Sequence, residues 1–117
     1  MTKNYLDDLD LTEEERARVQ DMGDSVKVIL IENITYKHSK LDGERTLAEL
    51  VLSKRVKGKH MKALDQAKGE ISQGLALVAA LCGLPIAAMD ELDARDMQVA
   101  LAVVEPFLPK RRATGTS

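Results

Sequence analysis

The sequence predicts an α+β fold: a small N-terminal β-hairpin or antiparallel sheet followed by a packed C-terminal helical region. Three observations carry that expectation. Val26-Lys-Val-Ile-Leu-Ile31 is short and rich in β-branched residues, the signature of a strand. Asp42-Gly43 is a hairpin signal, because both central residues of a type I′ turn need positive φ. Beyond Gly58 the apolar residues recur at helical spacing instead, ending in the stripe Met97, Leu101, Val104 and Leu108.

Taken in order, Leu11-Thr12-Glu13-Glu14-Glu15 reads as a helix start. Thr12 can cap a backbone N–H, Glu15 can reach back, and the acids sit at the positive end of the helix dipole. That helix is expected to reach about Met22 and stop at Gly23, with a thin apolar face of Leu11, Ala17, Val19 and Met22. The strand Val26–Ile31 is apolar on both faces at its centre, which predicts cover on both sides. The return strand runs from Arg45 to Leu52. Lys59 to Lys68 predicts a helix that turns Met61, Leu64 and Ala67 inward, interrupted by Gly69. Glu70 to Cys82 is apolar around most of its girth, with Ile71, Leu75, Val78 and Cys82 on one stripe and Leu77 and Leu81 on another. It is expected to be the central element. Gly83 stops it, and Pro85 opens a short helix that reaches Leu92. Asp93 caps the last helix, with Asp96 in its first turn, and Pro106 ends or kinks that helix near Glu105. The expected organisation is an acidic helical arm over residues 1–24, one α+β domain over 25–109 and a disordered tail over 110–117.

Composition narrows the function. The chain has 117 residues, 44% of them hydrophobic and 31% charged, enough for a modest core in one soluble domain. Its aromatic residues are Tyr5, Tyr36 and Phe107, so the core must be aliphatic, which suits packed helices better than a deep cofactor pocket. The single Cys82 rules out an intrachain disulfide and fits a reducing compartment. No apolar run of about eighteen residues predicts a membrane span, and the first residues lack the pattern of a signal peptide. A cytoplasmic location is expected. Net charge is −2 but unevenly spread. Residues 1–24 hold eight acids against three bases, whereas residues 25–69 hold ten bases against five acids. Such asymmetry suits a polyelectrolyte partner, or an acidic arm lying on a basic middle.

Catalysis finds little support. His38 and His60 lie in polar or basic surroundings with no nucleophile in register, which reads as solvated surface histidines. Cys82 sits on an apolar helix face, where a thiol behaves as a small hydrophobe. Asp90, Glu91, Asp93 and Asp96 cluster, but acids collect at helix starts for capping, and their spacing misses the calcium-loop pattern. No enzyme activity, metal or cofactor is therefore expected. The basic run Lys54, Arg55, Lys57, Lys59 and Lys62 is the alternative: a small nucleic-acid-binding regulator would use such charges on phosphates. No aromatic residue lies within the run to stack bases, and the chain is acidic overall, so a solvated loop is the better reading.

The strand–hairpin–helix order carries a resemblance when combined with Leu47-Ala-Glu-Leu-Val-Leu52, the basic step at Gly58, Leu81-Cys-Gly-Leu-Pro85, Met89, Leu92, Asp96, Leu101 and Phe107-Leu108. From about Val26 to Leu108 the chain resembles the small tail assembly chaperones of Mu-like and P2-like contractile-tailed phages. That resemblance implies a non-enzymatic factor of the bacterial host cytoplasm, used while the tail is built and absent from the finished particle. Its implied partners are the tape-measure protein and the tail-tube protein; a homo-oligomer stays open. Family members are often made in a second, longer form by programmed frameshifting. The candidate partner surface comprises Ile86 and Met89 on the short helix, with Val103, Phe107 and Leu108 at the end of the last one. A helix that brief must pack on something, a partner or the domain's own core, and large apolar groups beside Pro106 are hard to bury fully.

Overall fold

The computed structural model describes residues 9–39, 41 and 43–107. A three-stranded antiparallel sheet comes first and helices follow. The sheet runs β1 (Val19–Asp21), β2 (Ser25–Ser39), β3 (Gly43–Ser53) in spatial as well as chain order, so both connections are hairpins. Helices α2 (Gly58–Lys62), α3 (Glu70–Cys82) and α4 (Ala94–Val104) come after it. Short 3-10 helices at Ala63–Gln66, Ile86–Glu91 and Glu105–Phe107 join or end them. α4 and the Ile86–Glu91 segment pack on β2, α3 packs on β3, and α3 and α4 pack on each other. Val26, Val28, Leu50 and Leu52 of the sheet meet Leu77, Val78, Val99 and Val103 of the helices in one buried aliphatic cluster.

The N-terminal segment departs from expectation. Helix α1 spans only Glu13–Arg16, although its start is as read: Thr12 Oγ1 accepts the Glu15 N–H at 3.1 Å, and Glu15 Oε1 accepts the Thr12 N–H at 2.9 Å. Residues 19–21 then form a strand rather than completing a helix to Met22. Val19 pairs with Val28 and is 4% exposed. The thin apolar face could hold a helix only weakly, whereas pairing with β2 satisfies the same backbone groups and buries a β-branched side chain. Gly23, at φ +93°, serves the β1–β2 turn instead of a helix end, and the Met22 N–H closes that turn on the Ser25 carbonyl at 2.8 Å. The expected boundary between an arm ending at residue 24 and a domain starting at 25 therefore fails, because the sheet begins at Val19.

β2 is longer than Val26–Ile31 and is covered on one face only. Ile29 and Ile31 are 38% and 41% exposed, while Val26, Val28 and Leu30 are buried. The β2–β3 register slips between Ile29, opposite Glu49, and Ile34, opposite Leu47. β2 therefore bulges over residues 30–33. Gly43 closes the hairpin at φ +72°, and the Asp42 half of the turn signal lies outside the described residues. The expected tail at 110–117 lies outside them too.

Among the helices, α3 has the expected limits, closed by Gly83 at φ +69°. Ile71 leaves its predicted stripe and is 62% exposed. The Lys59–Lys68 helix is shorter than expected and tightens to 3-10 geometry after Lys62, though Leu64 does turn inward. On α4 the buried face is Asp96, Val99, Ala100, Val103 and Val104, so Val104 of the expected stripe is buried but Met97 and Leu101 are not fully so. Met97 and Leu101 are half-buried, and Leu108 lies outside the described residues. The face is rotated because Asp96, polar and therefore left out of an apolar stripe, points inward.

Candidate partner-binding groove

Asp96 explains how the helical layer is fixed to the sheet. Its carboxylate is wholly buried against the β2 bulge. The bulge frees two backbone donors, and both turn to this side chain. The Ile31 N–H reaches Oδ1 and Oδ2 at 3.0 Å each, and the Glu32 N–H reaches Oδ2 at 3.2 Å. Arg18, just before β1, donates from Nη1 to Oδ1 at 2.6 Å. A buried charge is tolerated when paired and fully hydrogen-bonded, and this one ties α4, β2 and the entry to β1 at a single point. The neighbouring Asp93 caps α4 by accepting the Arg95 N–H at 2.8 Å and also binds the Arg95 guanidinium. Those bonds hold its carboxyl below the usual carboxylate range. The polar cleft between Thr12, Arg18 and Arg95 thus has both guanidiniums already committed to carboxylates.

The other side of α3 is open. A groove of about 660 Å³ runs between α3, the Ala63–Gln66 turn and the Ile86–Glu91 segment. Its α3 wall is Leu75, Ala76, Ala79 and Ala80, and Ala63 and Ala67 face it from the turn. The far wall is Leu84, Ile86 and Met89, and the exposed Lys68 and Asp90 add opposite charges to the lining. The local sequence builds this shape directly. Gly83 in the left-handed region lets the Leu84 N–H return to the Ala79 carbonyl at 2.9 Å and the Gly83 N–H to Ala80 at 3.2 Å, a Schellman ending. Pro85 then sets an extended step, and the Ala88 N–H bonds its carbonyl at 3.0 Å to open the next turn. The chain leaves α3 and doubles alongside it, with Ile86 57% exposed. Ala76 and Ala79 are buried on the groove floor, and Ala80 is half-buried.

The candidate residues divide. Ile86 and Met89 are brought together on this groove, but Met89 is wholly buried and forms packed wall, not an exposed anchor. Val103 is also wholly buried, which corrects its place in an exposed patch: it lies on the inward face that Asp96 sets. Phe107 is half-buried against the core, and Leu108 lies outside the described residues. Ala76, Ala79 and Ala80 were missed. Their signal was present as small residues at i, i+3 and i+4.

The remaining chemical candidates are spread apart. Lys54 is drawn into an ion pair with Asp21, whose carboxyl that bond holds below its ordinary range. Arg55, Lys57, Lys59 and Lys62 are exposed around the start of α2. The Lys57 N–H donates to His60 Nδ1 at 2.8 Å. Burial pushes the Cys82 thiol up to about 12, even though its sulfur accepts the Val51 N–H, so it stays protonated at neutral pH. Among the described residues, no three His, Cys, Asp or Glu side chains converge as metal ligands, and no helix is long and apolar enough to cross a membrane. Comparison of the chain with protein-family models, curated proteins and solved structures gives no match.

Proposed function

We propose that this protein is a non-enzymatic phage tail assembly chaperone. It holds an amphipathic helix of the tape-measure protein in the α3 groove and helps recruit tail-tube subunits, working in the host cytoplasm. The observation that carries the reading is the groove itself: apolar, open, floored by alanines and flanked by an exposed isoleucine. Helix-in-groove recognition uses such a surface, because an apolar helix face gains by leaving water. A long tape-measure helix has sticky faces until the tail closes around it, and reversible cover is what this groove supplies. The sequence resemblance over Val26 to Leu108 suggests the partner, and an apolar groove is compatible with that reading.

The test is co-expression with the tape-measure protein of a contractile-tailed phage. The wild-type chain is expected to co-purify with it and keep it soluble. Ile86→Asp should abolish capture while leaving stability within ~0.5 kcal/mol, because the side chain is mostly in water already. Failure of the wild type to bind any tape-measure segment overturns the function. Full capture by Ile86→Asp would instead move the interface away from this groove.

A further inference from the structure

The groove beside α3 is apolar along its length but charged at its borders. Lys68 follows Ala67 on the border made by the Ala63–Gln66 turn, and Asp90 follows Met89 on the Ile86–Glu91 border. Both are exposed, and among the described residues neither is held in an ion pair. The arginines of the polar cleft differ in this respect, being already bound to Asp96 and Asp93. Each border also repeats its own sign. Residues 57–68 hold four lysines against one acid, Asp65, whereas residues 83–93 hold three acids and no base.

A charge at the mouth of an apolar groove acts on whatever fills it. The occupant displaces water from beside the charged side chain, so an opposite charge is attracted, and a like one repelled, more strongly than in bulk water. We propose that the groove takes an amphipathic helix whose apolar stripe is acidic along one border and basic along the other. A carboxylate of that helix meets Lys68, and a lysine or arginine meets Asp90. This rests on the reading of the groove as a helix site and adds the chemistry and direction of its occupant. Turning such a helix end for end exchanges its two borders and sets like charges together at both positions. Charge therefore selects the direction, while the apolar stripe supplies the affinity. A polyanion is disfavoured at the same groove, because Asp90 and Glu91 repel it.

Three synthetic peptides sharing one apolar helical stripe test this, with binding to the full chain read by fluorescence anisotropy. One carries Glu along one border and Lys along the other, the second Glu along both, the third Lys along both. The wild type is expected to hold the mixed peptide about fivefold more tightly than either uniform one, the scale of exchanging an attractive exposed pair for a repulsive one. That margin should shrink as salt is raised. Lys68→Glu should move the preference to the all-Lys peptide, and Asp90→Lys should move it to the all-Glu peptide. Each peptide is compared with itself across the protein variants, so differences in peptide helicity cancel. Should a charge reversal disturb the native circular dichroism, Lys68→Gln and Asp90→Asn replace it and should together abolish the salt dependence of the ranking. Ile86→Asp should weaken all three peptides, which places them in the groove; binding that it leaves intact overturns the proposal. A ranking unchanged by the charge variants overturns the charged borders alone and leaves the helix site standing. A wild type that binds none of the peptides up to millimolar concentration removes the helix site, and the proposal with it.

Discussion

Helices α3 and α4 are neighbours of similar length and opposite logic. α3 is apolar nearly all round, yet it exposes Ile71 and lines an open groove. α4 is the more polar of the two in sequence, yet its inward face is closed completely and carries a carboxylate at its centre. Apolar content therefore does not rank burial here. What ranks it is the surface opposite. α4 faces a bulge with two freed amides that require an acceptor, whereas one side of α3 faces only two short 3-10 segments across the groove. Buried donors must be paired, and that requirement outweighs the cost of burying Asp96.

The contrast breaks most sharply at Asp96. Asp96→Ala leaves the Ile31 and Glu32 amides without their acceptor and Arg18 without its anion. The expected loss is about 3 kcal/mol, the low end for breaking a buried pair, because Arg18 is 20% exposed and can partly rehydrate. Asp96→Asn keeps one acceptor oxygen and should lose less. Urea denaturation measures both. A loss under about 1 kcal/mol for the alanine variant would mean that the pair behaves as a surface ion pair and does not hold the layers together.

A smaller effect is expected on the groove side. Met89 has no exposed surface but lines an open groove, so truncation leaves a hollow that solvent or a neighbouring side chain can enter. Met89→Ala should cost about 2 kcal/mol, at the lower end for core methionines. Capture of the tape-measure protein per folded molecule should fall less than in Ile86→Asp. Equal loss of capture in the two variants would make Met89 an anchor as well as a wall.

Much of this architecture was legible because it rests on local chemistry. The Thr12–Glu15 box, the α3 limits, the Asp93 cap and the β2–β3 hairpin follow from side chains that act within a few residues of themselves. The misreadings share a different cause. Val19 became a strand because Val28 of β2, nine residues on, offered a ladder. The face of α4 rotated because Asp96 answers amides on β2, 64 and 65 positions earlier in the chain. Met89 and Val103 moved from candidate surface to core for the same reason, since helical spacing locates a face but not what stands opposite it. The groove was half visible, in Ile86 but not in the alanines, because small residues leave no hydrophobic signature.

The smallest effect is expected where the two helices touch. Gly74 is the buried point of contact, and a methyl group built there would fall onto the Cδ2 methyl of Leu101. Two opposing terms follow. Alanine in a helix interior is better than glycine by roughly 0.5–1 kcal/mol, because less backbone freedom is lost on folding. Against this, Leu101 must turn aside. It is half-buried and its far methyl is the clashing atom, so rotation costs less than moving backbone would. Gly74→Ala should therefore change stability by less than about 1 kcal/mol in either direction. Introducing it into a Leu101→Ala background removes the overlap and leaves the propensity gain, so the same substitution should there be stabilising. Comparing the two backgrounds in a double-mutant cycle isolates the contact itself. Identical effects in both would mean that α3 and α4 stand far enough apart for the glycine to be dispensable. A loss above about 2 kcal/mol confined to the wild-type background would mean that Leu101 is as tightly held as the Asp96 side of α4.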